Sequence, residues 1–377
     1  MKKYKRCKKC IMDTTDPTIK FDGDGICSYC NYFESTIKDY WEYNKTKEES
    51  ISQVINEIKA RRNKKSNYDC IVGISGGVDS SYLVYRLKEW DLKPLIVHID
   101  AGWNSELAVN NIFQVVEYSG FDLETLVIDW ENFKKVQLAF LKSGVANQDI
   151  PQDHVFIAGL LRIAKREKIN SIVSGSNFAT ESILPQYWGY DASDRDQIKD
   201  ICLKHGAGRA YRKIPTIRLF EQIFINPYIY KIKTFAPLNH IYYSKKFAIE
   251  ELKKIGWRYY GGKHYESRWT HFFQSYFLPK RFGYDKRLCH LSSLILSNEI
   301  SRDEALNEIN SPLYQDQEIK KDIKFISGKL GIDEKELIGF INETPLRRYT
   351  DYKNWETKRE NLYRRFFPLI QKIFKNI

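Results

Sequence analysis

The chain has 377 residues, 42% hydrophobic and 14% aromatic, which is room for two or three domains with real cores and excludes a disordered or fibrous protein. No apolar run approaches the roughly 18 residues that span a bilayer, and no apolar segment follows the basic start, so the expectation is a soluble, cytoplasmic protein without a signal peptide. The net charge of +12 is concentrated in residues 1–10 and 345–377, with a neutral middle, which reads as solvated ends and makes nucleic acid an unexpected partner.

Four of the seven cysteines form two C-x2-C pairs, Cys7/Cys10 and Cys27/Cys30, with sixteen residues between them. Each pair turns a knuckle that presents two thiolates, and four thiolates complete a tetrahedron around Zn²⁺ with no open position, so a structural zinc ribbon is expected. The single Cys70, Cys202 and Cys289 read as small buried residues. Residues 31–66 read as a Lys/Glu-rich helical linker. The period then changes: apolar runs at 70–74, 94–99, 123–129 and 171–173 alternate with amphipathic stretches at 78–90, 105–118, 131–141 and 154–166. Such alternation defines an α/β fold with a doubly wound parallel sheet, whose ligands bind beyond the carboxyl ends of the strands. Ile214 to Ile232 has helical apolar spacing, Thr234 to Leu238 reads as a further strand, and Ser244 to Ile255 as a helix closed by Gly256. Ser301 and Glu304 form a capping box, and the C-terminal part reads as helical, its last helix running from Tyr352 to Lys375. The expected divisions are a zinc module (1–45), an α/β domain (46–243) and a mainly helical region (244–377).

The first strand runs into Ser75-Gly76-Gly77-Val78-Asp79-Ser80-Ser81. Adjacent glycines let backbone N–H groups close on phosphate oxygens, and the N-terminus of the following helix adds partial positive charge. The three serines offer hydroxyl donors, and Asp79 can hold a Mg²⁺ that bridges phosphates. The loop lacks the lysine of a G-x-x-x-x-G-K-[ST] motif. SGGVDSS resembles the loop of the PP-loop ATP pyrophosphatases, which cleave ATP between the α and β phosphates, adenylate an oxygen and displace AMP with a nitrogen or sulfur nucleophile. That resemblance implies an adenosine contact at Asp100, which ends Val97-His98-Ile99-Asp100, and a second turn at Gly175 leading to Glu181 as another Mg²⁺ ligand. The competing readings are a strand-terminal cap for Asp100 and an ordinary first-turn helix residue for Glu181.

Downstream, Trp257-Arg258-Tyr259-Tyr260-Gly261-Gly262-Lys263-His264-Tyr265-Glu266-Ser267, then 277–287 and His290-Leu291-Ser292, resemble the N-acetyl sugar amidotransferases of bacterial surface-polysaccharide and nonulosonic-acid pathways. The resemblance runs from Cys7 to Leu306 and implies conversion of the N-acetyl group of a nucleotide-linked sugar to an acetamidino group, as in lipopolysaccharide O-antigen or pseudaminic acid biosynthesis. Within it, Lys263 is expected to reach the ATP phosphates, and Lys280, Arg281, Lys286 and Arg287 to meet pyrophosphate or an anionic sugar nucleotide; the plain alternative for the cluster is a solvated basic face. The chain has no recognisable glutaminase nucleophile, so a separate glutaminase subunit is expected to supply ammonia. The rival enzyme reading is a tRNA-thiolating relative, which calls for a reactive Cys pair or an iron–sulfur cluster beside the loop.

Overall fold

The structure, a computed structural model, describes residues 3–262, 265–356 and 358. Its centre is a sheet of five parallel strands, β1 (Cys70–Gly73), β2 (Pro94–Asp100), β3 (Asp122–Val127), β4 (Ser171–Val173) and β5 (Lys233–Phe235), in the order β3-β2-β1-β4-β5. All five expected strands form. The chain winds outward to β3, then returns to place β4 on the other side of β1, so the switch point lies between β1 and β4.

Alternate strand residues feed two cores. Cys70, Val72, Ile96 and Val173 join one cluster with the cysteine module, the Val78–Glu89 and Glu106–Ser119 helices and the Arg287–Leu296 helix. Ile71, Leu95, Val97, Ile99 and Ile172 join the other, with the Trp130–Ser143 and Ile150–Arg166 helices and the Asp316–Leu330 and Glu334–Asn342 helices. The C-terminal region therefore covers both faces of the sheet. No helix among the described residues is long and apolar enough to cross a membrane.

Helix ends follow the sequence signals where a side chain can cap them. Ser301 accepts from Glu304 N while Glu304 returns to Ser301 N, the expected capping box. Ser105 and Asp129 cap the helices that follow them. Two expectations shift. The stretch 214–232 contains only a wide π-type helix, Glu221–Ile229, around Pro227, and Asn226 is its sole buried residue; proline lacks the N–H that a regular turn needs. The fifth strand starts at Lys233 and ends at Phe235, because Pro237 opens a 3₁₀ turn. The expected last helix, Tyr352 to Lys375, lies largely outside the described residues.

The basic cluster near 280 is not gathered at one site: Lys280 is exposed, and the two arginines serve helix ends. Arg281 reaches the end of the Glu334–Asn342 helix, donating to Phe340 O (3.0 Å), Ile341 O (2.7 Å) and Thr344 O. Arg287 pairs with Asp285 (2.8 Å) and donates to Glu308 O, Ile309 O and Ser311 O at the end of the Arg302–Ile309 helix. Carbonyls at a helix C-terminus are unsatisfied and partly negative, so a planar guanidinium is suited to close them. Replacing Arg281 or Arg287 with Ala is expected to lower unfolding free energy by about 1.5–3 kcal/mol, the worth of charge-assisted hydrogen bonds. Arg281→Lys should recover little of the loss, since an ammonium cannot fork. Denaturant unfolding of the three variants checks this.

Candidate functional site: a cleft at the switch point

The turns after β1 and β4 face each other across the switch point and enclose a cleft of about 250 Å³. Ser75, Gly77, Val78, Asp79 and Ser80 line it from one side, and Ser174, Gly175, Ser176, Thr180 and Glu181 from the other. The first turn is tightly organised. Ser75 Oγ accepts from Gly77 N (3.2 Å), Ser75 N donates to Ser80 Oγ (3.3 Å), and Gly76 has a positive φ of 81° with Ala108 O against it, where a Cβ would clash. Gly175 passes so close to the start of the Val78–Glu89 helix that a Cβ would sit 3.0–3.1 Å from Asp79 C, Asp79 O and Ser80 N. A side chain there would press on that backbone. Asn177 Oδ1 accepts from Thr180 N (2.9 Å) and so caps the short Phe178–Glu181 helix that carries Glu181 into the lining.

Of the residues expected from sequence, Ser75, Gly77, Asp79, Ser80, Gly175 and Glu181 come together here, with Gly76 forming the turn behind them. Ser81 is fully buried on the core side of its helix. Asp100 is not part of this lining: its Oδ1 accepts from Gly102 N (2.7 Å) and Asn104 Nδ2 (3.3 Å), which is the strand-terminal cap. Arg281 and Arg287 serve the helix ends described above and do not join the cleft, and neither does Lys286. Lys263 lies outside the described residues.

Four further side chains complete the site. Lys245, at the start of the Lys245–Lys253 helix, lines the cleft, as do Tyr260 and Glu266. Tyr243 donates its hydroxyl to Asp79 Oδ1; burial and then the Asp79 charge push its pKa well above the ordinary phenol range, so the proton stays on the phenol. Lys245 could have been found, since it opens the helix that follows the fifth strand, and segments after strands were expected to line the pocket. Tyr260 and Glu266 stood inside a motif whose lysine drew the attention.

The cysteines form the second centre. The sulfurs of Cys7, Cys10, Cys27 and Cys30 lie within 4.8 Å of one another and are all buried, the only group of three or more close metal-ligating side chains among the described residues. Measured edges are 3.8 Å (Cys7–Cys30) and 3.6 Å (Cys10–Cys27 and Cys27–Cys30). A tetrahedron with metal–sulfur bonds of about 2.3 Å has edges of about 3.8 Å, so the donor set fits a closed tetrahedral ion. Backbone N–H groups of Lys9, Met12 and Cys27 point at the sulfurs, as expected around thiolates. The module is tied to the rest of the chain: Arg302 donates to Cys7 O and Cys10 O, and Ile11 N to Ser292 Oγ. Cys70, Cys202 and Cys289 are buried; Cys202 lies in the core on the opposite face of the sheet from the other two. They are not a reactive pair.

One turn along the helix that begins after Glu266, Thr270 Oγ1 donates to Asp149 Oδ1 (3.3 Å) and accepts from Gln152 Nε2 (3.2 Å). Burial, and then the charge of Asp153, push the Asp149 pKa up to about 8 against the opposing pull of Lys286.

The fold class expected from the sequence is present: a parallel α/β sheet with its glycine turn at the switch point, an N-terminal cysteine cluster and a helical C-terminal region. Residues 266–366 match the family described as LPS biosynthesis protein WbpG-like, C-terminal domain. The match covers much of the region that the motifs had marked only as helical. No curated protein matches the chain. Among solved structures, the chain is similar to the U34-tRNA thiolase NcsA from Methanococcus maripaludis (13% identity, TM-score 0.33, covering 81% of this chain and 89% of that one). It is also similar to NMN synthetase from Francisella tularensis (12%, 0.29, 57% and 98%) and NH3-dependent NAD synthetase from Campylobacter jejuni subsp. jejuni (10%, 0.29, 57% and 95%). Likenesses this distant add nothing to the fold that the sheet itself defines.

Two outcomes are expected. An unfolded Asp loses its proton near pH 3.9, whereas Asp149 keeps its own to about pH 8, so the folded state binds more protons between those values and wild-type stability falls as pH rises across that window. Asp149→Asn removes this dependence, so its stability relative to wild type should climb between pH 4 and 8, by at most about 1.4 kcal/mol per pH unit, and level off above; parallel pH profiles would refute the assignment. Elemental analysis of purified protein should find one thiolate-bound metal per chain, and Cys27→Ser should lose the metal together with several kcal/mol of unfolding free energy.

Proposed function

We propose that the chain is the synthetase subunit of an ATP-dependent amidotransferase that converts the N-acetyl group of a nucleotide-linked sugar to an acetamidino group. The observation that carries this reading is the cleft at the switch point, built from SGGVDSS and the Gly175 turn, in a chain whose residues 266–366 match a lipopolysaccharide-biosynthesis family. In this reading residues 1–45 hold a structural Zn²⁺, 46–243 bind ATP, and 244–377 carry the acceptor side.

An amide carbonyl resists ammonia because its oxygen would have to leave as hydroxide. Attack of that oxygen on the α-phosphate breaks the α–β bond, releases pyrophosphate and leaves an O-adenylated imidate. Ammonia then adds to the same carbon, and the C–O bond breaks with AMP as the leaving group. The turn 75–80 grips the triphosphate through its N–H groups and the helix N-terminus, and Ser75 and Ser80 add hydroxyl donors. Tyr243 fixes the Asp79 carboxylate, and Lys245 brings a positive charge to the cleft. Asp79 and Glu181 are the residues that would hold a Mg²⁺, which would supply positive charge against the phosphates. The ammonia comes from a separate glutaminase subunit, and the reaction runs in the cytoplasm.

The test is incubation with ATP, Mg²⁺, ammonium and a panel of nucleotide N-acetyl sugars. A product one mass unit lighter than its substrate, formed with one AMP, is expected; no AMP with any acceptor refutes the reading. Asp79→Ala should cut AMP formation by about 10²-fold or more while leaving the melting temperature within a few degrees of wild type.

A further inference from the structure

We propose that Glu299 is a positioning residue for the reaction: it clamps the Tyr243-Ser244-Lys245 turn, and through that turn sets both the Asp79 carboxylate and the lysine of the cleft. The inference rests on the nucleotide reading of the cleft and adds to it a residue from outside the lining.

Ser244 stands in the N-cap position of the Lys245–Lys253 helix, yet its side chain accepts no hydrogen bond from that helix. Its hydroxyl donates instead to Glu299 Oε2 (3.2 Å), and the same carboxylate accepts from Lys245 N, at 3.0 Å to Oε2 and 3.3 Å to Oε1. A carboxylate 54 residues along the chain thus caps the helix at its positive end, where the serine could have served alone. The residues on either side of Ser244 are the ones the cleft uses. Tyr243 donates its hydroxyl to Asp79 Oδ1, and Lys245 lines the cleft, so a turn clamped at the Ser244 hydroxyl and Lys245 N fixes both. Burial and Asp79, followed by the charges of Glu299 and Glu181, hold the Tyr243 pKa well above the ordinary phenol range, so this phenol stays a donor among three carboxylates.

Glu299 is itself aimed by the end of the Arg287–Leu296 helix. Asn298 takes a left-handed φ of 61°, which asparagine tolerates; its N–H donates to Ile295 O (3.1 Å), and the N–H of Glu299 to Leu294 O (2.9 Å). Two residues on, Ser301 opens the next helix with its capping box. The carboxylate therefore projects from a short turn fixed at both ends. Both its oxygens are engaged by the Ser244–Lys245 turn, and it does not line the cleft, so it acts through the residues it holds. Glu299 also lies within the stretch 266–366 that matches the WbpG-like family, and the clamp ties that stretch to the nucleotide loop.

The experiment follows AMP formation by the full chain from ATP, Mg²⁺, ammonium and the same panel of nucleotide N-acetyl sugars, for wild type, Glu299→Ala and Glu299→Gln, with hydrogen exchange over residues 242–247. Glu299→Ala should lower kcat about tenfold or more, leave KM for ATP within about twofold of wild type, and speed exchange at 242–247. Glu299→Gln keeps a carbonyl oxygen that can accept from Lys245 N, and should restore most of both kcat and protection. If Glu299→Gln is as slow as Glu299→Ala, the charge and not the contact is what matters, and the positioning role is overturned. A wild-type kcat in Glu299→Ala, with faster exchange at 242–247, makes the contact purely structural and overturns it too; in either case the nucleotide site stands. No AMP from wild type with any sugar removes the nucleotide reading and the positioning role with it. Should Glu299→Ala fold poorly, Ser244→Ala decides: it removes one contact of the clamp and should lower kcat about threefold at unchanged KM, and a kcat equal to wild type overturns the role.

Discussion

The contact between the Gly175 turn and the backbone of Asp79 and Ser80 is the constraint from which the rest of the site follows. With no Cβ at 175, the loop after β4 closes to van der Waals distance on the first turn of the Val78–Glu89 helix. The strand order makes this possible, because β4 returns to pair with β1 and both strands deliver their carboxyl ends to the same place. Asp79 and Glu181 thereby line one cleft with the positive end of a helix and with Lys245. Two carboxylates there would repel a phosphate unless something neutralises them. In the proposed reading a cation between acid and phosphate would resolve that conflict; Tyr243, which keeps its proton, holds Asp79 in position.

The cysteine cluster is distant in sequence from this cleft but mechanically close. The Arg287–Leu296 helix and the residue that caps it carry a row of serines. Ser292 accepts from Ile11 N in the knuckle, Ser293 accepts from Ile183 N just after the Glu181 helix, and Ser297 donates to Ala179 O within it. One helix thus fastens the metal module on one side and the second turn of the cleft on the other. Arg302 adds a second fastening to the carbonyls of Cys7 and Cys10. A closed four-thiolate site has no position for substrate, so its contribution is rigidity, delivered to the turn that carries Glu181.

Much of the scaffold was legible because its signals are local. The five strands are short apolar runs, the knuckles are fixed by two-residue spacing, and the glycine turn sits between a strand and an amphipathic helix. What was not legible depends on partners remote in sequence. Arg281 and Arg287 stand in a run of cations that invites a phosphate, yet their partners are carbonyls some twenty to sixty residues away, exposed only because two helices end there. Residues 214–232 show the reverse failure. Their apolar spacing is helical, but Pro227 prevents regular turns, and Phe220, Ile223, Phe224, Tyr228 and Ile229 face outward instead of into a core. Asp100 satisfies both readings on paper, and the structure shows the turn contact, Gly102 N donating to its Oδ1. Tyr260 and Tyr243 could not be placed by pattern, since each reaches the cleft from a segment more than 160 residues from its partner.

The chemistry open to the cleft is narrowed by what the chain's own nucleophiles are doing. A sulfur-transfer reaction needs a thiolate beside the nucleotide loop, and a thiolate needs solvation or a cation. Cys70 begins β1, at the end of the strand opposite the loop, and burial raises its thiol pKa. Cys202 sits in the core on the other face, its pKa pushed up to about 12 by burial alone. Cys289 donates to Lys286 O inside the Arg287–Leu296 helix. None of the three is presented as a nucleophile. In the proposed reading, an adenylated oxygen formed in this cleft would be displaced by a small nucleophile that arrives from outside, and ammonia, uncharged and small, would meet that requirement.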